Sequence, residues 1–136
     1  MTTLSQEAVK QEEELIRQAA SQLSDKERKL YFSLVKKQIK DPDTYAVLNW
    51  FFIAGLHHFY LGKWIAGAID LTIFLVGAVF IFVGLEWVGV LMIVGISVFE
   101  LYALFRSQII VQDYNNQVMK EAIREVQHKG SMQELY

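Results

Sequence analysis

The chain reads as all-α, an integral membrane helical hairpin with a short apolar helix before it and amphipathic cytoplasmic helices at both ends. Three observations predict this fold class. The stretch from Trp64 to Phe105 is almost wholly apolar and is interrupted near its middle by Leu85-Glu86-Trp87. Its halves, Ile65 to Val83 and Val88 to Phe105, each approach the roughly 20 residues that an α-helix needs to cross about 30 Å of hydrocarbon. Charge is concentrated in the flanks, with eight Lys/Arg and eight Asp/Glu in residues 1–44 and four of each in residues 106–136. The net charge of −2 therefore arises in the middle, where Lys63 stands with Asp70, Glu86 and Glu100. A composition of 53% apolar residues and a mean hydropathy of +0.24 average this pattern away.

Residues 1–44 are expected to form amphipathic cytoplasmic helices. Thr3 with Gln6 and Ser24 with Glu27 fit the capping box, in which a side chain and a backbone amide satisfy each other at a helix start. Ala8, Leu15, Ile16, Ala19 and Leu23 approximate one face of the first helix; Leu30, Tyr31, Leu34, Val35 and Gln38 approximate one face of the second. Asp41-Pro42-Asp43 stops that helix, because proline disfavours α geometry in the residue before it. Asp43 or Thr44 can cap the next helix.

Residues 45–115 are expected to form the membrane domain. Its first segment, Tyr45 to Leu61, is apolar but carries Asn49, His57 and His58, with Gly55 inside it and Gly62-Lys63 at its end. As a third crossing it would separate the N-terminal lysines from Lys63 and Arg106. As a short helix that dips in and returns it keeps Lys36, Lys37, Lys40, Lys63 and Arg106 on one side, which the positive-inside tendency favours. Past Phe105, Ile110, Tyr114, Val118, Ala122 and Val126 recur at a spacing of four. The last membrane helix is therefore expected to continue out of the bilayer into the C-terminal amphipathic helix and tail of residues 116–136, with Gly130 as a C-terminal cap.

Chemistry is carried by few residues. Phe59, Tyr60 and Trp64 around Gly62 suit a membrane–water boundary, since each ring has an apolar body and two have a polar tip. His57 and His58 titrate near neutrality, but adjacent helical residues point about 100° apart, so the pair is a poor metal site without outside ligands. Neither a metal nor another cofactor is expected. Asp70 and Glu100 are a more informative pair, because a carboxylate inside hydrocarbon is costly. With the hairpin tip at Leu85-Glu86, Asp70 falls opposite Leu101 and Glu100 opposite Leu71, which puts the two acids at nearly the same depth. They are expected either to snorkel to Lys63, Arg106 or the histidines, or to form a cation or proton site. The same counting puts Gly77 at the level of Val94-Gly95, where small residues allow close helix approach.

The string Gly55-Leu56-His57-His58-Phe59-Tyr60-Leu61-Gly62 resembles the signature of the TM-two domain family, a Gly-x-His/Asp-Arg-Phe-Tyr-Leu-Gly sequence between apolar segments. Glu100 matches an acidic residue in that family's last helix, and Tyr114-Asn115 resembles the Tyr-Asn that closes many bacterial members. The likeness covers about Ala46 to Asn115. His58 stands where the family has arginine, and Ile65 to Val83 is longer than in its compact form. The resemblance implies a paired transmembrane domain and carries over no established catalytic activity, in a family whose animal members are associated with signalling and phagocytic receptors.

Several classes are excluded. The chain lacks cysteine, so disulfides, thiolate metal sites and cysteine nucleophiles are absent. It has no phosphate-cradling glycine loop, no H-E-x-x-H and no nucleophile elbow, so no enzyme is expected. A pI near 5.9 and mixed charge give no basic face for nucleic acid. Met1 to Lys40 has no apolar run, and insertion is expected to use the internal segments. The lipid bilayer is the expected partner, together with a homo-oligomeric or protein partner met through the amphipathic helices. The expected location is a bacterial cytoplasmic (inner) membrane with both termini cytoplasmic. The leading functional expectation is a non-enzymatic interaction or adaptor protein acting through its cytoplasmic helices; the alternative is a subunit of an oligomeric ion- or proton-responsive pore using Asp70, Glu100 and the histidines.

Overall fold

A computed structural model describes residues 5–51 and 55–133. Among these residues every regular element is an α-helix: α1 Gln6–Ser21, α2 Asp25–Gln38, α3 Pro42–Phe51, α4 Leu56–Tyr60, α5 Trp64–Phe82, α6 Glu86–Phe105 and α7 Ser107–Gln133. The chain divides into two compact units, residues 1–40 with 109–136 and residues 41–108. The C-terminal helix thus groups with the N-terminal ones, and both divisions fall a few residues before those read from the sequence.

In the first unit the amphipathic helices bury each other's apolar stripes. Ile16, Leu23, Tyr31, Val35, Ala122, Ile123 and Val126 form one buried cluster, flanked by Ala20, Leu30, Leu34 and Met119. On α1 the buried positions are Val9 and Ile16, followed by Leu23 beyond the helix, a spacing of seven; Leu15 lies about 100° round from Ile16 and is exposed. Polar ties between distant segments complete the unit. Asn116 is fully buried and its Nδ2 donates to the carbonyl oxygen of Val9 at 2.9 Å. The Lys120 ammonium bonds Glu12, which lowers the carboxyl of Glu12 below its ordinary range. Asn115 clamps the chain end of α2: its Oδ1 accepts from the Lys40 amide at 2.8 Å and its Nδ2 donates to the Lys40 carbonyl at 2.9 Å.

Helix ends follow local chemistry and depart from the sequence reading in places; α6 ends at Phe105, with the Arg106 amide bonded back to the Ala103 carbonyl, and α7 starts at Ser107, where one continuous helix was expected. The capping box of Ser24 with Glu27 is present. Thr3 lies outside the described residues, and α1 is capped by Ser5, whose hydroxyl accepts from the Ala8 amide at 3.1 Å. Asp41, not Asp43 or Thr44, opens α3: its carboxylate accepts from the Thr44 amide and hydroxyl, each at 2.7 Å. Pro42 then takes the first helical position, where its missing N–H costs nothing. Gly130 does not end α7, which runs on to Gln133; a Cβ there would come within 2.9 Å of Glu27 Oε1, the movable end of a flexible side chain.

In the second unit α5 and α6 pack on each other, α4 packs on α3 and α5, and α3 packs on α6. Both α5 and α6 are long and apolar enough to cross a membrane, with mean hydropathy 2.4 and 2.2 over their most apolar windows. Only 11% and 17% of those windows are buried. A water-soluble core helix hides its apolar side chains, whereas these leave Phe82, Trp87, Leu91, Phe99 and Phe105 at the surface.

The chain reverses at Gly84, whose φ of +87° is a conformation only glycine adopts without strain. Glu86 then belongs to the first turn of α6, where a carboxylate complements the helix dipole. Because the turn is centred earlier than Leu85-Glu86, the facing register is shifted. Gly77 lies against Gly89, not Gly95: a Cβ on Gly89 would be 2.3 Å from the Gly77 carbonyl oxygen, while one on Gly95 would meet nothing within 4 Å.

Candidate functional site

The second unit brings five of its polar side chains together. Asn49 comes from α3, His57 and His58 from α4, Asp70 from α5 and Glu100 from α6. His57 Nε2 lies 3.0 Å from Glu100 Oε2, and His58 Nε2 lies 2.9 Å from Asp70 Oδ2. One donor atom from each of His57, His58, Asp70 and Glu100 falls within 4.8 Å of all the others. These are the donor types that hold a cation.

The octapeptide from Gly55 to Gly62 builds this arrangement step by step. Gly55 enters α4 with φ +79°, and a Cβ on it would stand 2.7 Å from the Cβ of Asp70, so only glycine lets this backbone reach α5. Phe59 lies over Gly67 of α5, where a Cβ would come within 2.8 Å of its ring. The Tyr60 hydroxyl accepts from the Asp41 amide at 3.0 Å, tying the end of α4 to the start of α3. Leu61 is buried, Gly62 has φ +70°, and the Lys63 amide closes the turn on the His58 carbonyl at 2.9 Å. Of the three aromatics expected as interfacial anchors, only Trp64 is exposed; Phe59 and Tyr60 hold elements of the unit together.

The two histidines do not diverge as adjacent helical positions suggest. Their ring centroids are 4.1 Å apart. The reason is that α4 is a single five-residue turn pinned at both ends, and each side chain finds an acid on a different long helix. His57 is wholly buried, and the edge-on ring of Tyr45, also buried, packs on it at 5.0 Å. Both ring nitrogens of His57 lack a hydrogen-bond partner, since the approach of Nε2 to Glu100 is close but not aligned as a hydrogen bond. Burial, followed by the positive charges of His58 and Lys63, pushes His57 down to about 3 and keeps the imidazole neutral. Burial also lowers His58, against the opposing charge of Asp70. It raises the phenol of Tyr45, with the negative charges of Glu100 and Asp70 acting in the same direction.

Asn49 completes the site and was not singled out by the sequence reading. It is buried, and its Nδ2 donates to Glu100 Oε2 at 3.2 Å. A polar side chain inside an apolar segment needs such a partner, and that was the available signal. A cleft of about 290 Å³ lined by Asn49, Trp50, Ser97, Glu100, Leu101 and Leu104 leads to this edge of the site. Asp70 and Glu100 each stand against a histidine, one of the arrangements the sequence left open, and donor oxygens of the two acids lie within 4.8 Å of each other, although in the observed register the two positions are not at one depth. Tyr114 and Asn115 belong to the other unit, where Asn115 has the clamping role described above. No family model matches the chain, nor does a curated protein or a solved structure.

Proposed function

We propose that this is a two-span integral membrane protein, a helical hairpin of the TM-two domain kind, whose membrane unit responds to a cation bound among His57, His58, Asp70 and Glu100. The observation that carries the proposal is the convergence of two imidazoles and two carboxyls from three helices inside an otherwise apolar unit. Such a cluster is costly in hydrocarbon unless something compensates it. A bound cation does so, and it joins α4 to both long helices. Occupancy then sets how firmly α3 and α4 hold to the spans. The protein is non-enzymatic in this reading.

An adaptor role has less support, because the stripe of Val118, Ala122 and Val126 that would meet a partner is buried, and Ala122 and Val126 lie in the core with α1 and α2. Melting the detergent-purified protein against Na⁺, K⁺, Mg²⁺, Ca²⁺ and Zn²⁺ tests the proposal. A ligand at a hundred times its Kd stabilises by about 2.7 kcal/mol. One of these ions should raise Tm in the native sequence and leave Glu100→Gln unmoved. If none does, the cation-responsive reading fails.

Orientation is part of the same proposal. With Lys36, Lys37, Lys40, Lys63 and Arg106 on the cytoplasmic side of a bacterial inner membrane, both termini are cytoplasmic and α3–α4 dips without crossing. The absence of native cysteine makes single replacements clean reporters. An impermeant thiol reagent applied to intact cells should label Glu86→Cys and spare Ser21→Cys and Ser131→Cys. Labelling of Ser21→Cys along with Glu86→Cys would establish a third crossing.

A further inference from the structure

Resting on the reading of this site as a cation site, the geometry points to a divalent transition metal of the zinc class, held in four-coordinate form by one donor atom each from His57, His58, Asp70 and Glu100. Charge selects the valence. A bound metal takes its ligands deprotonated, as neutral imidazoles and ionised carboxylates, so in the occupied site a divalent ion balances the two carboxylates, whereas Na⁺ or K⁺ leaves a net negative charge in an apolar unit. Donor type selects the class. Imidazole nitrogens suit zinc and its neighbours; Ca²⁺ takes six to eight oxygens and Mg²⁺ an octahedron of them, which two carboxyls cannot supply.

Distances agree with this choice. Ligand bonds of about 2.0–2.2 Å place tetrahedral donors roughly 3.4 Å from each other. Here the two imidazole–carboxylate pairs stand at 3.0 and 2.9 Å, and no pair of the four donors exceeds 4.8 Å. Side-chain rotation of about an ångström at the wider pairs closes the site around an ion.

A second and independent observation is His57 itself. It is 0% exposed, its Nε2 is aimed at Glu100, and neither ring nitrogen has a hydrogen-bond partner. A buried imidazole that faces a carboxylate yet makes no hydrogen bond through either ring nitrogen is rare and fits a site whose ligand lies between the two groups. Around the donors stands the support that metal sites use: Asn49 donates to Glu100 Oε2, and the Tyr45 ring fixes the plane of His57. The cleft beside Asn49 and Glu100 provides an approach for a partly hydrated ion.

The test uses the full chain in detergent, stripped with a chelator and carrying His128→Asn to remove the histidine outside the site. Equilibrium dialysis should leave one Zn²⁺ per chain. Co²⁺ should give the intense visible bands of a four-coordinate ion, and added Zn²⁺ should bleach them. Glu100→Gln and His57→Gln, each checked for helicity by circular dichroism, should abolish the bands. Asn49→Leu should weaken binding about ten- to a hundredfold while keeping the spectrum. Absence of stoichiometric Zn²⁺ and Co²⁺, an octahedral Co²⁺ spectrum, or binding unchanged by both ligand substitutions overturns the inference. If Ca²⁺ or an alkali ion instead shifts Tm in a Glu100-dependent manner, the metal class is wrong and the cation site stands; if no ion does, both fall.

Discussion

Replacing Gly89 with valine is expected to force α5 and α6 apart and to destabilise the second unit by about 3 kcal/mol or more, the upper range for overpacking a filled interior. Even the first added carbon has nowhere to go. The Cβ would sit 2.3 Å from the Gly77 carbonyl oxygen, 2.7 Å from Ile81 Cγ1 and 3.0 Å from the Ile81 amide nitrogen, and two of those three atoms are backbone. Rotamer changes cannot relieve a backbone contact, so the helices must separate over the whole central contact. Because helices in lipid associate through packing and not through release of water, that separation removes much of what joins them. Gly95 supplies the control: nothing lies within 4 Å of a Cβ there, and Gly95→Val should change stability little. Reversible detergent-induced unfolding in bicelles, followed by tryptophan fluorescence, measures both. Equal loss at the two positions would contradict the observed register.

What could be read from the sequence was what is local or countable. The apolar spans and the Ser24–Glu27 cap depend on residues a few positions apart, and they are present as expected. The nearness of Asp70 and Glu100 followed from counting only in part: the partner of Gly77 is five to six residues from the counted one, and the long side chains of the acids, each drawn to a histidine, span that error. The same error misplaced the partner of Gly77, since glycine contacts have no side chain to absorb it. The cause was the turn: Gly84, not Leu85-Glu86, carries the reversal.

The histidines were misread for another reason. The 100° divergence of neighbours assumes that side chains continue the directions of a regular helix, while α4 is one turn long and its rings turn toward acids on α5 and α6. Asn49 could be noticed as polar in an apolar segment but not paired, as its partner Glu100 is 51 residues away. The sequence singled out the octapeptide only by its resemblance to a family signature, and no family model matches the chain. The work of its single residues was not legible, because each contacts a segment outside it: Gly55 meets Asp70, Phe59 meets Gly67 and Tyr60 meets Asp41.

His57 and Glu100 are expected to be strongly coupled, since their facing atoms are 3.0 Å apart and both side chains are buried. Removing one member leaves the other in an apolar interior without its counterpart, a loss of about 3 kcal/mol for a broken buried pair. Replacing both with apolar groups of similar volume removes the orphan along with the pair and is far less costly. The direct measurement is therefore a double-mutant cycle of His57→Phe and Glu100→Met, read by reversible unfolding in bicelles with a chelator present so that no metal contributes. Each single change should destabilise by about 3 kcal/mol, and the double variant should fall short of their sum by about 1–3 kcal/mol. Strict additivity would mean that the two side chains do not meet, and the site on which the whole functional account rests would not exist.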